Sequence, residues 1–403
     1  MNWEEVKNAV QKDHEYVRLL RREFHRHPEL AKEEFFTAAR IEEELDKLGL
    51  PHERSAGTGV VATLTGTAGG SRPKEEDGAE KCILLRADID ALPVTELHEC
   101  EYKSEIPGKM HACGHDAHAA ALIGAARVLS TFRDRFAGSV RLVFQPGEEV
   151  GYGAQAMIRE GIQKGCTRSF GIHMASDVAV GKAVLMPGPN NASVDWFRIT
   201  VEGLGAHVST PQRGVDAAYI AAQIVVGAQA LVTRMSSPMD HLLIGIGTIQ
   251  AGTAYNVVAD HAVMEGTIRS LDAPLRAKTK ERLEKLARET AAIYGGTASM
   301  EWNDNTSVLV NSEKETLEAQ KIAAAVLGED KIIRSRKASL GGDDMAEFIN
   351  EVPGCYAYVG SCDPAVPETG LAHHHACFDI AEDALRVAVL LYSAAALDYL
   401  GAK

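Results

Sequence analysis

The sequence predicts an α/β protein, in which a three-layer domain with a mostly parallel sheet is interrupted by an inserted α+β domain. In residues 1–187 and again in residues 303–403, short apolar strand-like runs alternate with helical patterns, which favours a layered α/β architecture. Between them, residues 188–302 follow a different order of strands and helices. A chain of 403 residues also exceeds the size at which one hydrophobic core stops growing, so two domains are expected.

The first segment begins with two helices and continues with strands that are bounded by turn residues. Apolar residues recur with helical spacing over 4–25 and 33–48, and Gly49 suits the end of the second helix. The glycine-, proline- and charge-rich run from Ala68 to Glu80 predicts a mobile surface loop. The alanine-rich stretch 117–129 predicts a buried helix. Strands are expected at 60–64, 82–87, 140–144 and 170–173.

The inserted segment has the order β-α-β-β-α-β, which is typical of a ferredoxin-like sandwich. The change of pattern follows the turn-forming run Pro187-Gly188-Pro189. Its strands are expected at 195–202, 242–249, 262–269 and 297–302, with helices at 215–234 and 273–294. Afterwards the α/β pattern resumes, with helices at 313–327 and 382–399 around a strand at 356–359.

The composition argues against a nucleic-acid or membrane partner. The chain has 42 lysines and arginines against 56 aspartates and glutamates, and its formal charge of −14 repels phosphate groups and anionic membrane surfaces. No apolar run approaches the ~20 residues of a membrane helix, and the acidic N-terminus lacks the pattern of a secretion signal. The seven cysteines are scattered and form no Cys-x-x-Cys pair, so we expect a cytoplasmic protein rather than a disulfide framework.

The most informative stretch is Met110–His118, which contains one cysteine, three histidines and an aspartate. Cys113 and His115 are separated by a single glycine that lets the backbone bend, so both side chains can point at one ion. Thiolate and imidazole are typical ligands of transition metals. The stretch therefore predicts a metal site, for which the rest of the chain should supply further ligands.

Three other places supply ligand types near the ends of predicted strands or towards the C-terminus. Glu148 and Glu149 follow the strand that ends at Phe144. His173 ends another strand, and three histidines lie at 373–375. Open α/β sheets build their sites at such strand ends. One cysteine, three histidines and one glutamate exceed the needs of a tetrahedral zinc ion and suit a two-metal centre with an activated water. Adjacent glutamates can face different ways, so one can bind metal while the other acts as a base, and Glu148 is expected to be that base.

Each of these residues also has an ordinary structural interpretation. A single histidine is usually hydrogen-bonded in the core, paired glutamates are usually solvated, and a buried cysteine usually acts as a small apolar residue. Their combination after successive strands favours the metal site. Asp88 and Asp90 also follow a strand, where a carboxylate either orients a ligand imidazole or caps a turn; both interpretations stay open. His111 and His118 are expected to support the site rather than bind metal.

Seven motifs resemble the di-metal amidohydrolase family that includes hippurate hydrolases, bacterial aminoacylases and plant indole-acetyl-amino-acid hydrolases. The resemblance extends over nearly the whole chain, and its motifs are long and occur in order. They are Phe24–Glu29, Arg86–Pro93, Met110–His118, Gln145–Glu149, Gly203–His207, Asn256–Val258 and Gly266–Arg269.

The resemblance implies a set of site residues. Glu148 would be the general acid/base. The metal ligands would be Cys113, His115, Glu149, His173 and one histidine of the run 373–375.

The last ligand departs from the usual pattern of the family. It is typically a histidine with a proline two positions later and an aromatic residue four positions later. Phe378 lies four residues after His374, so His374 is chosen, although Ala376 stands where a proline is usual. A second departure is Met174–Asp177, which stands where relatives tend to carry an aromatic residue and a proline. The choice of acyl group therefore does not carry over from the family.

The resemblance also implies a catalytic domain with a smaller ferredoxin-like lid that often dimerises, so a homodimer or higher oligomer is expected. His207 would stabilise the oxyanion in its own or in the neighbouring subunit. Asn256 and Arg269 would bind the free carboxylate of the substrate, for which arginine offers two parallel donors.

Residues and resemblance together predict a metal-dependent hydrolase that cleaves the amide bond of small N-acyl amino acids to a carboxylic acid and a free amino acid. Two divalent ions are expected; thiolate and imidazole favour zinc, and sites with carboxylates also take manganese or cobalt. Two alternatives stay open. One is a dipeptidase or carboxypeptidase on the same centre, and the other is a metal- or ligand-binding protein without turnover, which the presence of Glu148 disfavours.

Overall fold

A computed structural model describes residues 1–69, 73–76 and 78–403 of the chain. The loop predicted over 68–80 includes residues 70–72 and 77, which lie outside the described residues. The helices of the described part are α1 (Trp3–Arg26), α2 (Phe35–Lys47), α3 (His115–Thr131), α4 (Gly153–Glu160), α5 (Ala217–Thr233), α6 (Ala273–Ile293), α7 (Glu313–Leu327), α8 (Met345–Glu351) and α9 (Ala384–Tyr399).

The strands of the same residues are numbered in chain order. They are β1 (His52–Ser55), β2 (Gly59–Thr65), β3 (Cys82–Asp88), β4 (Ser139–Gln145), β5 (Arg168–Ala179), β6 (Ala183–Val184), β7 (Gly188–Asn191), β8 (Ser193–Glu202), β9 (Ala206–His207), β10 (Leu242–Ala251), β11 (Val257–Val258), β12 (His261–Ser270), β13 (Thr297–Thr306), β14 (Leu309–Asn311), β15 (Ile332–Ile333) and β16 (Gly354–Cys362).

The chain forms two compact units. The large unit comprises Met1–Gly188, Val310–Lys337 and Asp344–Lys403. The small unit comprises Pro189–Leu309 and the short segment Ala338–Asp343. The large unit is thus assembled from three stretches of chain.

The large unit is built around an eight-stranded sheet with the strand order β1-β2-β4-β3-β5-β16-β6-β15. Its central strands β4, β3, β5 and β16 are parallel neighbours. β2 adds to β4, and β1 to β2, in the antiparallel sense. All seven residues of β3 are buried, as expected for a central strand that is covered on both faces. The predicted mostly parallel sheet is confirmed.

Helices cover both faces of this sheet, which gives three layers. α1, α3 and α9 pack against one another on one face, and α4 and α8 contact each other and the sheet. Along β3, Ile83, Leu85 and Ala87 belong to the core beneath the first group. Arg86, with the opposite orientation, reaches Asp344 at the start of α8. Alternate side chains of β3 therefore point to opposite faces of the sheet, where different helices lie.

Close packing of three helices explains why α3 is rich in alanine. Nearly all of its side chains are buried, including those at its first residues. At Gly124 an added Cβ would lie 2.7 Å from Val17 of α1 and 2.8 Å from Val389 of α9. Small residues let the neighbouring helices approach this closely.

The sequence patterns did not predict β1, α4 and α8. These elements have four, eight and seven residues, which give too few repeats to establish a period. β5 is longer than the predicted 170–173. It continues because Met174 and Ala175 still pair with β16.

The small unit contains a four-stranded antiparallel sheet with the order β10-β12-β8-β13. Its helices α5 and α6 pack on this sheet, and Phe197, Ile199 and Val201, alternate residues of β8, are fully buried in the core between them. The succession β8-α5-β10-β12-α6-β13 is the ferredoxin-like order that the sequence predicts. Separately, the described residues include no helix that is both long and apolar enough to cross a membrane.

A fully buried arginine joins α1, α3 and the segment before α9. Arg21 donates through Nε to Asp116 at 2.7 Å and through Nη2 to Asp379 at 2.9 Å. His25 Nδ1 lies 2.8 Å from the same oxygen of Asp116. Burial opposes ionisation of Asp116, yet Arg21 and His25 hold its pKa well below its usual range. Because Asp116 is the second residue of α3, this network fixes the start of that helix.

We expect Arg21→Met to lower the free energy of unfolding by about 3–5 kcal/mol, because Asp116 and Asp379 would stay buried without their cation. Arg18→Met is the matched control: Arg18 lies on the same helix, pairs with the exposed Glu15 and lies 3.4 Å from the part-buried Glu382, so its loss should have a smaller effect than the loss of the fully buried Arg21. Urea denaturation of the two variants measures the difference, and equal midpoints would contradict this role of Arg21.

Candidate metal centre

The sequence-predicted ligands of the large unit meet at the carboxyl edge of its central sheet. Because β3, β4 and β5 are parallel, their carboxyl ends lie at the same edge. Asp88 ends β3, and Glu148 and Glu149 lie just beyond β4. Gly171 of β5 pairs with Arg86 of β3, so His173, two residues further on, lies level with Asp88.

Gly114 turns the backbone between Cys113 and His115. It has a left-handed conformation, with φ of 97°, and directly precedes α3, whose first residue is His115. His115 Nδ1 donates to the backbone carbonyl of Asp90 at 2.9 Å. The other ring nitrogen, Nε2, therefore faces the centre, where it lies 3.7 Å from Asp88 Oδ2.

One carboxylate holds both glutamates of the loop after β4. Asp90 Oδ1 accepts the amide of Glu148 and Asp90 Oδ2 accepts the amide of Glu149, each at 3.0 Å. One carboxylate oxygen of each glutamate lies 4.0 Å from His115 Nε2. Glu149 also approaches His374, with Oε1 3.4 Å from Nε2. The two neighbouring side chains thus share one edge of the centre but have different further contacts.

His173 and Cys113 form the opposite side of the centre. The Cys113 sulfur lies 3.5 Å from His173 Nε2. His173 Nδ1 donates to the carbonyl of Met174 at 2.6 Å, which assigns the ring proton to Nδ1 and leaves Nε2 with a lone pair.

The histidine run contributes two rings to this region. His374 has a positive φ of 69°, and its amide donates to Ala112 at 2.7 Å, which holds the ring near Glu149. The ring of His373 packs instead against His173, with centroids 5.0 Å apart. His375 accepts the amide of Cys377 and is exposed. His373 and His374 both border the centre, on different sides.

The residues present fit a pair of divalent cations. Among the described residues, there are five groups whose ligand atoms lie within 4.8 Å of one another. Two of them, Cys113/His115/His173 and Cys113/Glu149/His374, consist only of predicted ligands and share the sulfur of Cys113. Within the part of the chain that the structure describes, His115 Nε2 and Glu149 Oε1 are buried and form no hydrogen bond, although Glu149 Oε1 lies 3.4 Å from His374 Nε2. Buried polar atoms are almost always satisfied, so these two atoms indicate a ligand that completes them. Thiolate, imidazole and carboxylate together suit borderline divalent metals.

The charges around the centre favour different protonation states for its rings. Burial lowers the pKa of His173 well below its usual value, which keeps the ring in the neutral form that binds metals. Burial also acts to lower the pKa of His115, but Asp88 and Cys113 raise it well above its usual value. Burial and Glu149 raise the pKa of the Cys113 thiol well above its usual range. A coordinated cation acts in the opposite direction and deprotonates a thiol.

His118 has no nitrogen left for a metal. Its Nδ1 donates to Asp88 at 2.5 Å, and its Nε2 accepts the amide of Met174 at 2.9 Å. It therefore anchors the backbone next to His173. His111 is also buried, and burial lowers its pKa to about 3, so its ring is neutral.

Sequence reasoning missed three buried polar residues at this edge, namely Gln145, Asp344 and Glu34. The fully buried Arg86 donates to Asp88, Gln145 and Asp344, each at 2.7 Å. Gln145 could have been found as a polar residue at the end of a strand. Asp344 and Glu34 carry no such signal, because their positions depend on contacts that are distant in sequence.

The small unit brings two of its predicted residues together. His207 pairs with Val257 between β9 and β11, next to Asn256. His207 Nδ1 accepts the amide of Ser209 at 3.1 Å, so the proton of a neutral ring lies on Nε2. Arg269 is near the end of β12 and donates to the Thr267 hydroxyl; no described carboxylate forms an ion pair with it. Burial lowers the pKa of Arg269.

Comparisons with known proteins agree with this architecture. Residues 84–398 match Peptidase family M20/M25/M40. The chain is 34% identical over 401 residues to thermostable carboxypeptidase 2 of Saccharolobus solfataricus, covering 98% of both chains. It is 36% identical over 375 residues to an N-acetylcysteine deacetylase of Bacillus subtilis, covering 92% of this chain and 93% of the relative.

A crystal structure from Bacillus subtilis, described as a dinuclear metal binding peptidase from the M20 family, has the same fold. The TM-score is 0.82 at 32% identity, and the match covers 98% of this chain and 100% of the other. The resemblance that the motifs indicate is thus confirmed. The chain is a member of Peptidase family M20/M25/M40 and a metal-dependent hydrolase.

Proposed function

We propose that this enzyme hydrolyses the amide bond of small N-acyl amino acids, releasing a carboxylic acid and a free amino acid. The observation that carries the proposal is a carboxylate, Glu148, next to two groups of metal-ligand atoms that share Cys113. The deacetylase relative acts on an N-acylated amino acid by its name, which supports the same substrate class here.

The proposed centre holds two divalent ions. Its ligands are Cys113, His115, Glu149, His173 and His374. Zinc is the proposed metal, because thiolate and imidazole predominate, and manganese or cobalt would also fit the carboxylate. The described cysteines form no disulfide, and a thiolate ligand at Cys113 is compatible with the cytoplasmic location that we propose.

When bound, the two ions would polarise the substrate carbonyl and lower the pKa of a water molecule. Glu148 would take a proton from the water whose oxygen adds to the carbonyl carbon, and would pass it to the amine nitrogen as the C–N bond breaks, acting first as a general base and then as a general acid. Asp90 holds the Glu148 backbone during both transfers. His118 and the carbonyl of Met174 hold the ring of His173 and its neighbouring backbone in place.

The small unit supplies the proposed substrate contacts. His207 donates from Nε2 to the oxygen on which negative charge develops, because Nδ1 is already occupied by Ser209. Asn256 and Arg269 bind the free carboxylate, and Arg269 has donors that no described carboxylate uses.

A second candidate function is a carboxypeptidase or dipeptidase on the same centre. It is favoured by the relative named as a thermostable carboxypeptidase. The two functions differ at the acyl side, since a free α-amine needs an acidic partner and an acyl group needs an apolar one.

To test the function, metal-loaded protein is incubated with a mixed set of N-acyl amino acids and dipeptides. Mass spectrometry then measures which members release a free amino acid. We expect free amino acid from the acylated members only; cleavage confined to dipeptides would establish the peptidase instead.

A second test concerns the carboxylate contact of Arg269. Substrates whose carboxylate is amidated should bind more weakly than the free carboxylate forms. Arg269→Lys loses the two parallel donors, so it should raise KM for the free carboxylate forms and not for the amides.

We expect Glu148→Gln to lose roughly 10²–10⁴-fold in kcat and to keep both ions, because the amide cannot carry the proton. Glu149→Gln is the matched control: it changes the adjacent residue and should lose bound metal. Steady-state kinetics and metal analysis of both variants measure this. Near-wild-type turnover in the first variant would remove Glu148 from the mechanism.

We also propose that the enzyme is a homodimer through the small unit. β10 is an edge strand of the small sheet, and it exposes Leu243 and Ile249. A long apolar edge strand is a site for pairing with another chain. Sedimentation equilibrium should give twice the chain mass of 43.3 kDa, and a single-chain mass would contradict the dimer.

A further inference from the structure

A buried carboxylate outside the proposed ligand set lies beneath the loop that carries Glu148. Glu34 is fully buried at the start of α2. Its Oε1 accepts the amide of Gly147 at 2.9 Å, and its Oε2 accepts the hydroxyl of Thr58 at 2.5 Å. These contacts link the start of α2 to the turn between β1 and β2 and to the loop after β4.

The helix that begins after Glu34 does not use this carboxylate. The amides of Phe36 and Thr37, at the start of α2, donate instead to the two carboxylate oxygens of Glu29, at 3.0 and 2.9 Å. Glu34 occupies the N-cap position without a side-chain capping bond. Its side chain therefore serves a contact other than helix capping.

The burial of the Glu34 side chain costs free energy, because the carboxyl group loses its hydration and must be compensated by hydrogen bonds within the protein. No lysine or arginine pairs with it in the part of the chain that the structure describes. Its carboxyl group accepts from the Gly147 amide and the Thr58 hydroxyl, the backbone amides of Lys32 and Glu34 also interact with it, and burial raises its pKa. A buried carboxylate without a cation is disfavoured relative to an apolar side chain of similar size. Its neighbour Glu33 is exposed and pairs with Lys109, so the two adjacent glutamates have different environments.

With Glu34 included, three consecutive backbone amides, those of residues 147–149, each donate a hydrogen bond to a carboxylate. Gly147 donates to Glu34, and Glu148 and Glu149 donate to the two oxygens of Asp90. Gly147 has a positive φ of 59°, so the loop turns sharply at the residue that Glu34 holds. We call Glu34 and Asp90 the amide clamp.

We propose that Glu34 is a positioning residue for Glu148, an inference that rests on the proposed role of Glu148 as the general acid/base. Asp90 fixes the amides of Glu148 and Glu149, and the Gly147 carbonyl accepts the amide of Tyr152 at 3.1 Å. The amide of Gly147, where the turn begins, is held by Glu34. The direction of the Glu148 carboxylate then follows from the backbone, before substrate arrives.

The effect on catalysis should be large because proton transfer needs accurate geometry. A displacement of about 1 Å at a reacting group lowers the rate by roughly 10²-fold. We expect Glu34→Ala to lower kcat by roughly this factor, with KM and the two bound ions close to wild type. Hydrogen exchange at residues 147–149 should be faster by about tenfold or more, because the Gly147 amide loses its buried acceptor.

Two further variants separate positioning from general damage. Glu34→Gln keeps an oxygen for Gly147 and can turn its amide group towards Thr58, so it should retain most of the wild-type kcat and exchange protection. Glu33→Ala is the control on the adjacent exposed glutamate, and it should match wild type in kcat, KM, metal content and exchange.

Each result decides the proposal. Wild-type kcat in Glu34→Ala would overturn it, whether or not exchange at 147–149 rises. A loss of kcat with unchanged exchange, or with equal losses in Glu34→Gln, would also overturn it. If Glu34→Ala does not fold, Thr58→Val removes only the second anchor of the carboxylate and should lower kcat and raise exchange together; no change in either would refute the clamp.

The same experiment distinguishes this inference from the proposed function. If wild-type protein releases no amino acid from acylated substrates, the proposed function fails. Exchange at 147–149 still reports whether Glu34 holds the loop, because that measurement requires no substrate.

Discussion

The hydrogen bonds of Asp90 are the interaction on which the rest of the centre depends. Its carboxylate accepts the amides of Glu148 and Glu149, and its carbonyl accepts the ring proton of His115. A parallel sheet brings several loops to one edge but does not join them. Asp90 joins two of them, because its side chain holds the loop after β4 and its backbone holds the first residue of α3. The spacing between the candidate base and a candidate ligand therefore derives from one residue.

Two buried arginines hold the aspartates that lie next to the centre. Arg86 holds Asp88 and Asp344, and Arg21 holds Asp116. Buried ion pairs add little net stability compared with apolar residues of similar size, because both charges lose their hydration. Their contribution here is geometric. Asp88 is fixed by Arg86 and in turn fixes His118, so the backbone beside His173 is held through three consecutive contacts.

The fold class and most of the candidate ligands could be predicted from the sequence, because ligand types near strand ends and a long ordered set of motifs are local signals. Alternating strands and helices were enough for the α/β class and the ferredoxin-like insertion. The residues alone did not decide among the three histidines of the run, and the choice of His374 rests on the resemblance. The positive φ at His374, which places its ring near Glu149 while His373 packs against His173, is visible only in the folded chain. Glu34 could not be separated from Glu33 either. Only the folded chain shows that one is buried against Gly147 while the other lies at the surface.

The proposed ligands come from separate elements, and Cys113 and His374 are far apart in the chain. In an unfolded chain they do not converge, so these residues would bind the ions more tightly in the native large unit than in the unfolded chain. A ligand that binds only the native state stabilises it by RT ln(1 + [L]/Kd), about 2.7 kcal/mol at a hundredfold excess over Kd. Divalent cations held by the proposed ligands would therefore stabilise the folded chain as well as supply its chemistry.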